Sequence, residues 1–88
     1  MAKQEYRGPS YEVAEYDHAR RRIILSTKYD EALPALEAYC QLLIDNEVPA
    51  PAVVKIHASL QSSLLKGVTL FDHECLATNR RVSFIIRK

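Results

Sequence analysis

Tryptophan is absent from the 88 residues, glycine occurs only at Gly8 and Gly67, and cysteine only at Cys40 and Cys75. Each scarcity closes off a class of protein. Two isolated glycines cannot build the glycine-rich loop that cradles nucleotide phosphates. Two cysteines make at most one disulfide, too few for a disulfide-built scaffold, so both read as thiols. Charge of one sign is also missing. Twelve basic residues against eleven acidic ones leave a formal charge of +1, with no global pull toward nucleic acid or anionic lipid. Long apolar runs are missing as well, the strongest being Ile23-Ile24-Leu25 and Phe84-Ile85-Ile86, far short of the roughly 20 residues a membrane helix needs. The opening stretch Met1 to Arg7 lacks the apolar segment of a secretory signal, which makes the cytoplasm the expected location.

What remains is ordinary globular composition, with 48% hydrophobic and 26% charged residues, so the chain carries enough apolar side chains to fold. At this length one core is expected, burying roughly 60 to 70% of the unfolded surface. Residues 1–10 hold Lys3, Gln4, Glu5, Arg7, Gly8 and Pro9 and little to pack, which predicts a mobile arm ahead of a single domain over 11–88.

Tyr11 to Tyr16 alternates weakly and predicts a first strand, and Arg20 to Ser26 a second, paired with it as a hairpin. Leu33, Leu36, Cys40, Leu43 and Ile44 recur at three- and four-residue steps, which predicts a helix over about 30–46 with Asp30 as its cap and Pro34 in its first turn. After Pro51, Val53, Ile56, Leu60 and Leu64 mark a second helical stripe that ends at Gly67. Residues 52–58 also alternate as a strand would, but the Gly67 stop favours helix. Val68 to Phe71 favours strand, 72–79 reads as a loop, and residues 81–87 close the chain as a strand. The expectation is an α+β domain in ββααββ order, with an antiparallel or mixed sheet and both helices packed on one face.

The clearest chemical feature is basic. Arg20, Arg21 and Arg22 open one strand, Arg80 and Arg81 another, and Arg87 and Lys88 end the chain. If Val82, Phe84 and Ile86 face the helices, Arg81, Ser83, Ile85 and Arg87 face outward, and inward Ile23 and Leu25 leave Arg20, Arg22, Ile24 and Ser26 outside. Arg20, Arg22, Arg81 and Arg87 are thus the candidate partner-binding residues, since arginine offers a fixed fork of donors to phosphate or carboxylate. The bland reading pairs them with Glu12 and Glu15 across the strands, at about 0.2–1 kcal/mol each. His73 and Cys75 are the residues to test first for metal binding or catalysis, with Cys40 and His57 as distant ligands. Nothing has the spacing of a zinc site, and the adjacent residues Asp72, His73, Glu74 and Cys75 are poorly placed to work as nucleophile, base and orienting acid. No metal or cofactor is expected.

The run Asn79-Arg80-Arg81-Val82 before an apolar strand is similar to the closing stretch of OmpA-like peptidoglycan-binding domains. The Gly-His-Thr-Asp type segment and the later Arg-Ala helix that carry ligand binding in that family have no counterpart here, so no function transfers with the likeness. Both helices have broad apolar arcs, Tyr39 and Leu42 widening the first and Val54, Ala58 and Leu65 the second, more than one sheet face covers. The sequence therefore points to a small non-enzymatic protein-binding module, an adaptor, regulator or inhibitor open to homodimerisation. The alternative is a nucleic-acid binder using the arginine face.

Overall fold

A computed structural model describes residues 9–87. The elements follow the expected order: β1 (Ser10–Asp17), β2 (Arg22–Tyr29), α1 (Ala32–Asp45), α2 (Ala50–Leu65), β3 (Leu70–Cys75) and β4 (Arg80–Arg87). The four strands form one antiparallel sheet in the order β2-β1-β4-β3, so each hairpin contributes one central and one edge strand. Ser10 already belongs to β1, and the rest of the expected arm, up to Gly8, lies outside the described residues.

Alternation sorts the strands into two faces. Tyr11, Val13, Glu15, Leu25, Thr27, Tyr29, Phe71, His73, Cys75, Val82, Phe84 and Ile86 share the face that α1 covers, as their register requires. Tyr39 of α1 is fully buried at the centre of that core, its ring meeting those of Phe71 and Phe84 edge-on at centroid distances of 6.3 and 5.9 Å. Its hydroxyl donates to the Val82 carbonyl oxygen at 3.3 Å, which spares the core a lone polar group. Helix α2 joins the same cluster through Val53 and Leu60.

Both helices stop on a left-handed residue in a Schellman motif. After α2, Gly67 has φ +84°, its N–H donating to Leu64 O and that of Val68 to Ser63 O. After α1 the same pair of bonds runs from Glu47 to Ile44 O and from Val48 to Leu43 O, but Glu47 must hold φ 65° with a side chain in place. A left-handed conformation costs a side-chain-bearing residue about 1–2 kcal/mol relative to glycine. Glu47→Gly is therefore expected to raise the urea midpoint by an amount worth about 0.5–1 kcal/mol.

Three expectations need correction. Residues 72–75 are strand, because β3 is an edge and an edge strand tolerates charges that would be costly in the middle of a sheet. Helix α1 has its N-cap position at Glu31, one residue after the expected Asp30, and the Glu31 side chain makes no cap bond. The register of β2 shifts between the partners of Glu15 and Tyr16, which face Leu25 and Ile23, leaving Ile24 as the extra residue of a bulge. That shift turns Ile23 outward and puts Arg22 opposite Asp17 on the helix-side face, the reverse of simple alternation.

Candidate functional site

The outer sheet face is built from three rows that cross all four strands. Ser26, Ala14, Ser83 and Asp72 form a middle row of small side chains. Ile23, Tyr16, Arg81 and Glu74 make one flank, and Lys28, Glu12, Ile85 and Leu70 the other. The result is a shallow depression of about 330 Å³.

Of the four candidate arginines, the structure brings only Arg81 and Arg87 onto this face. Arg81 lies over the Tyr16 ring, 4.9 Å from its centroid, and 4.0 Å from Glu74. Arg87 sits 3.0 Å from the buried carboxylate of Glu12, which also accepts from the Ser26 hydroxyl at 2.5 Å. The Ser26 bond and then Arg87 hold Glu12 below the usual glutamate range against the upward pull of burial. Arg20 lies in the turn after β1, 3.7 Å from Asp17, and the bulge takes Arg22 off the outer face. Burial pulls Asp17 upward, yet the Arg20 and Ala19 N–H groups and the nearby Arg80 and Arg20 guanidinium groups hold it below its ordinary value. Three of the four arginines thus already face carboxylates, and the outer face mixes both signs.

Glu15 is the carboxylate whose position the sequence reading missed. It lies on the helix-side face and is buried, where Asn46, itself 2% exposed, donates to it at 2.8 Å and Arg80 at 3.3 Å. Asn46 also donates to Leu42 O and accepts from the Thr78 hydroxyl at 2.6 Å. One side chain at the end of α1 therefore ties the helix to β1 and to the β3–β4 turn. The only sequence signal was an asparagine at a helix C-terminus.

Strand alternation separates the residues singled out for chemistry. His73 and Cys75 point to the helix side, and Asp72 and Glu74 to the outer face. Asp72 accepts from Ser83 at 2.6 Å, and Glu74 lies 2.7 Å from His18 Nε2. Burial pushes the Cys75 and Cys40 thiols up, away from the thiolate that nucleophilic attack or metal binding needs. Among the described residues no three metal-ligating side chains converge, and no helix is long and apolar enough to cross a membrane.

A second concavity lies elsewhere. Where α2 ends, a cavity of about 580 Å³ opens between the helices and the end of the sheet. Leu36 of α1, Leu64 and Leu65 of α2, Val68, Tyr11 and Ile86 form its walls, and Gln61 adds a polar side chain. Leu65 is 91% exposed at its rim and Val68 40%. Of the residues that widen the helical arcs, Leu65 lines this cavity, Tyr39 is spent on the core, and the exposed Val54 lies outside it. Its size and apolar walls fit a binding cleft, and among the described residues no charged side chain lines it.

No protein-family model matches the chain, and neither a curated protein nor a solved structure gives a significant match.

Proposed function

We propose that the protein is a non-enzymatic protein-binding module whose partner inserts apolar side chains into the cleft between α2 and the sheet end. The observation that carries this reading is the cleft itself: about 580 Å³ of space walled by leucine, valine, isoleucine and tyrosine on a chain of 88 residues. A domain this small leaves large apolar side chains in water at a cost, and covering a Leu65 or Val68 side chain is worth about 1.5–3 kcal/mol. A cleft with such apolar walls selects an apolar segment of another polypeptide over a phosphate backbone.

The arginine face supports the nucleic-acid reading less well. Phosphate contact draws on unpaired cations gathered on one surface. Here Arg20, Arg81 and Arg87 each have a carboxylate within 4.0 Å, and Arg22 lies off the outer face.

Capture from lysate of the source cells, with and without nuclease, separates the two. The Leu65→Glu, Val68→Glu pair places charge at the exposed rim, where it leaves the core intact, and is expected to weaken capture of a protein at least about tenfold, as loss of about 1.4 kcal/mol or more implies. Alanine at Arg20, Arg22, Arg81 and Arg87 is expected to leave that capture within about twofold, far below the tenfold loss that 1.4 kcal/mol represents. The reading fails if the rim variant binds like the parent, or if capture disappears with nuclease and with the arginines.

A further inference from the structure

Among the described residues β2 and β3 are the edges of the sheet, and the two edges are complementary to one another. In the order β2-β1-β4-β3 every neighbour is antiparallel, so β2 and β3 run in opposite directions. A second copy in the same orientation can therefore set its β2 beside β3 and continue the antiparallel alternation, with the helices of both copies on one side. Nothing has to be inverted.

The hydrogen-bonding phase of the two edges agrees. Ile86 N–H donates to Thr69 O at 2.8 Å, which marks residues 69 and 86 as a hydrogen-bonded pair. Alternation then turns the backbone groups of Leu70, Asp72 and Glu74 toward the open edge. Carried through the register of β4, β1 and β2, the same alternation turns those of Ser26 and Lys28 toward the opposite edge.

Side chains then choose the register. With Lys28 opposite Asp72 of the next copy, Ser26 meets Glu74, Thr27 meets His73, Tyr29 meets Phe71 and Leu25 meets Cys75. The first two pairs share the outer face and the last three the helix side, so within these five pairs polar meets polar and apolar meets apolar, while Asp30, past the end of β2, falls opposite Leu70. Slipping one step to set Lys28 opposite Glu74 takes Ser26 past one end of β3, and slipping the other way takes Tyr29 past its other end. Pairing β3 with a second β3 sets Asp72 and Glu74 against each other or against themselves, a like-charge clash. Pairing β2 with β2 leaves the acidic edge uncovered. The pairing segment Leu25–Tyr29 avoids the bulge at Ile24.

We infer that the protein self-associates head to tail, β2 of one copy pairing with β3 of the next in the register that joins Lys28 to Asp72. The interface is heterologous, so it does not close on a dimer; it adds copies at both ends. A pairing five or six residues long buries little area, which makes the association weak and concentration-dependent. It involves the sheet edges and not the apolar cleft, so it stands or falls apart from the partner reading.

Sedimentation velocity on the full chain at rising concentration and low salt tests it. The parent is expected to grow past the dimer without a plateau, and less so at high salt. K28E and D72K are each expected to weaken growth at least tenfold. Mixing the two, or combining K28E with D72K in one chain, is expected to restore it, because opposite charges then face each other again across the junction. Asp72 also accepts from Ser83, so D72N, which keeps an acceptor there, serves if D72K fails to fold and is expected to weaken growth in the same direction. A parent that stays monomeric, growth that stops at the dimer, or a folded D72K or D72N that assembles like the parent overturns the inference.

Discussion

Tyr39→Ala is expected to bring the domain to the edge of unfolding at 25 °C. The side chain is fully buried, packs its ring against Phe71 and Phe84 and has its hydroxyl on the Val82 carbonyl. Removing so large an aromatic side chain costs the transfer of its ring from water plus the cavity left behind, about 3–5 kcal/mol. A chain of 88 residues commands about 4–13 kcal/mol in all at roughly 0.05–0.15 kcal/mol per residue. The loss is thus a large fraction of the whole. Burial pushes the phenol well above its ordinary titration range, so the hydroxyl remains a neutral donor at any pH used for the assay. Tyr39→Phe keeps the ring and gives up only the 3.3 Å bond, at a cost of about 1 kcal/mol. Urea unfolding followed by far-ultraviolet circular dichroism measures both. A loss for Tyr39→Ala no larger than that for Tyr39→Phe would show that the ring is not the centre of the core.

The next largest effect belongs to Asn46→Leu. Leucine has the same branching and side-chain heavy-atom count and is the bulkier of the two, so the cost is not that of a cavity. What it removes is a hub: the donor to Glu15, the donor to Leu42 O and the acceptor of Thr78. Glu15, itself buried, keeps only Arg80 at 3.3 Å among these partners, and Arg80 is about one-third exposed. Stranding buried polar groups costs about 1–3 kcal/mol, and more where one is charged. The expected loss is about 2–4 kcal/mol, within the range for breaking a buried polar network. If the network is the cause, Thr78→Ala in the Asn46→Leu background costs less than it does in the parent, because its partner is already gone. Chemical denaturation of the four proteins gives that coupling directly.

Much of the fold was legible because it rests on periodicity. Leu36 and Leu43 of the α1 stripe and Val53 and Leu60 of the α2 stripe are buried where that spacing puts them, whereas Leu33 and Ile44 of the same α1 stripe are exposed and Tyr39, beside the stripe, fills the centre of the core. Val82 and Phe84 face the helices as their alternation requires. The failures have two physical sources. A single extra residue at Ile24 reverses the faces on its far side, and periodicity carries no mark of a bulge. That one residue is why Arg22 left the outer face, and Arg20 is missing from it because it lies in the turn before β2. The charged run from Asp72 to Glu74 reads as loop because β propensity is low there, whereas an edge strand admits alternate charges on its exposed face.

The candidate site was only half legible. Surplus apolar positions such as Leu65 showed in the helical arcs, but the cleft depends on how the end of α2 stands relative to Tyr11 and Ile86, residues far apart along the chain. The polar tie from Asn46 to Glu15 spans 31 residues and left no pattern to read.

The central claim is that this cleft receives a protein. A photoreactive benzophenone side chain in place of Leu65, at the rim and 91% exposed, tests it most directly when irradiated in the source cells, with the same group in place of Arg81 as the comparison on the outer face. A discrete protein adduct is expected from position 65, one that survives nuclease and is lost with Val68→Glu. An adduct to nucleic acid from position 81, with none to protein from position 65, would contradict it.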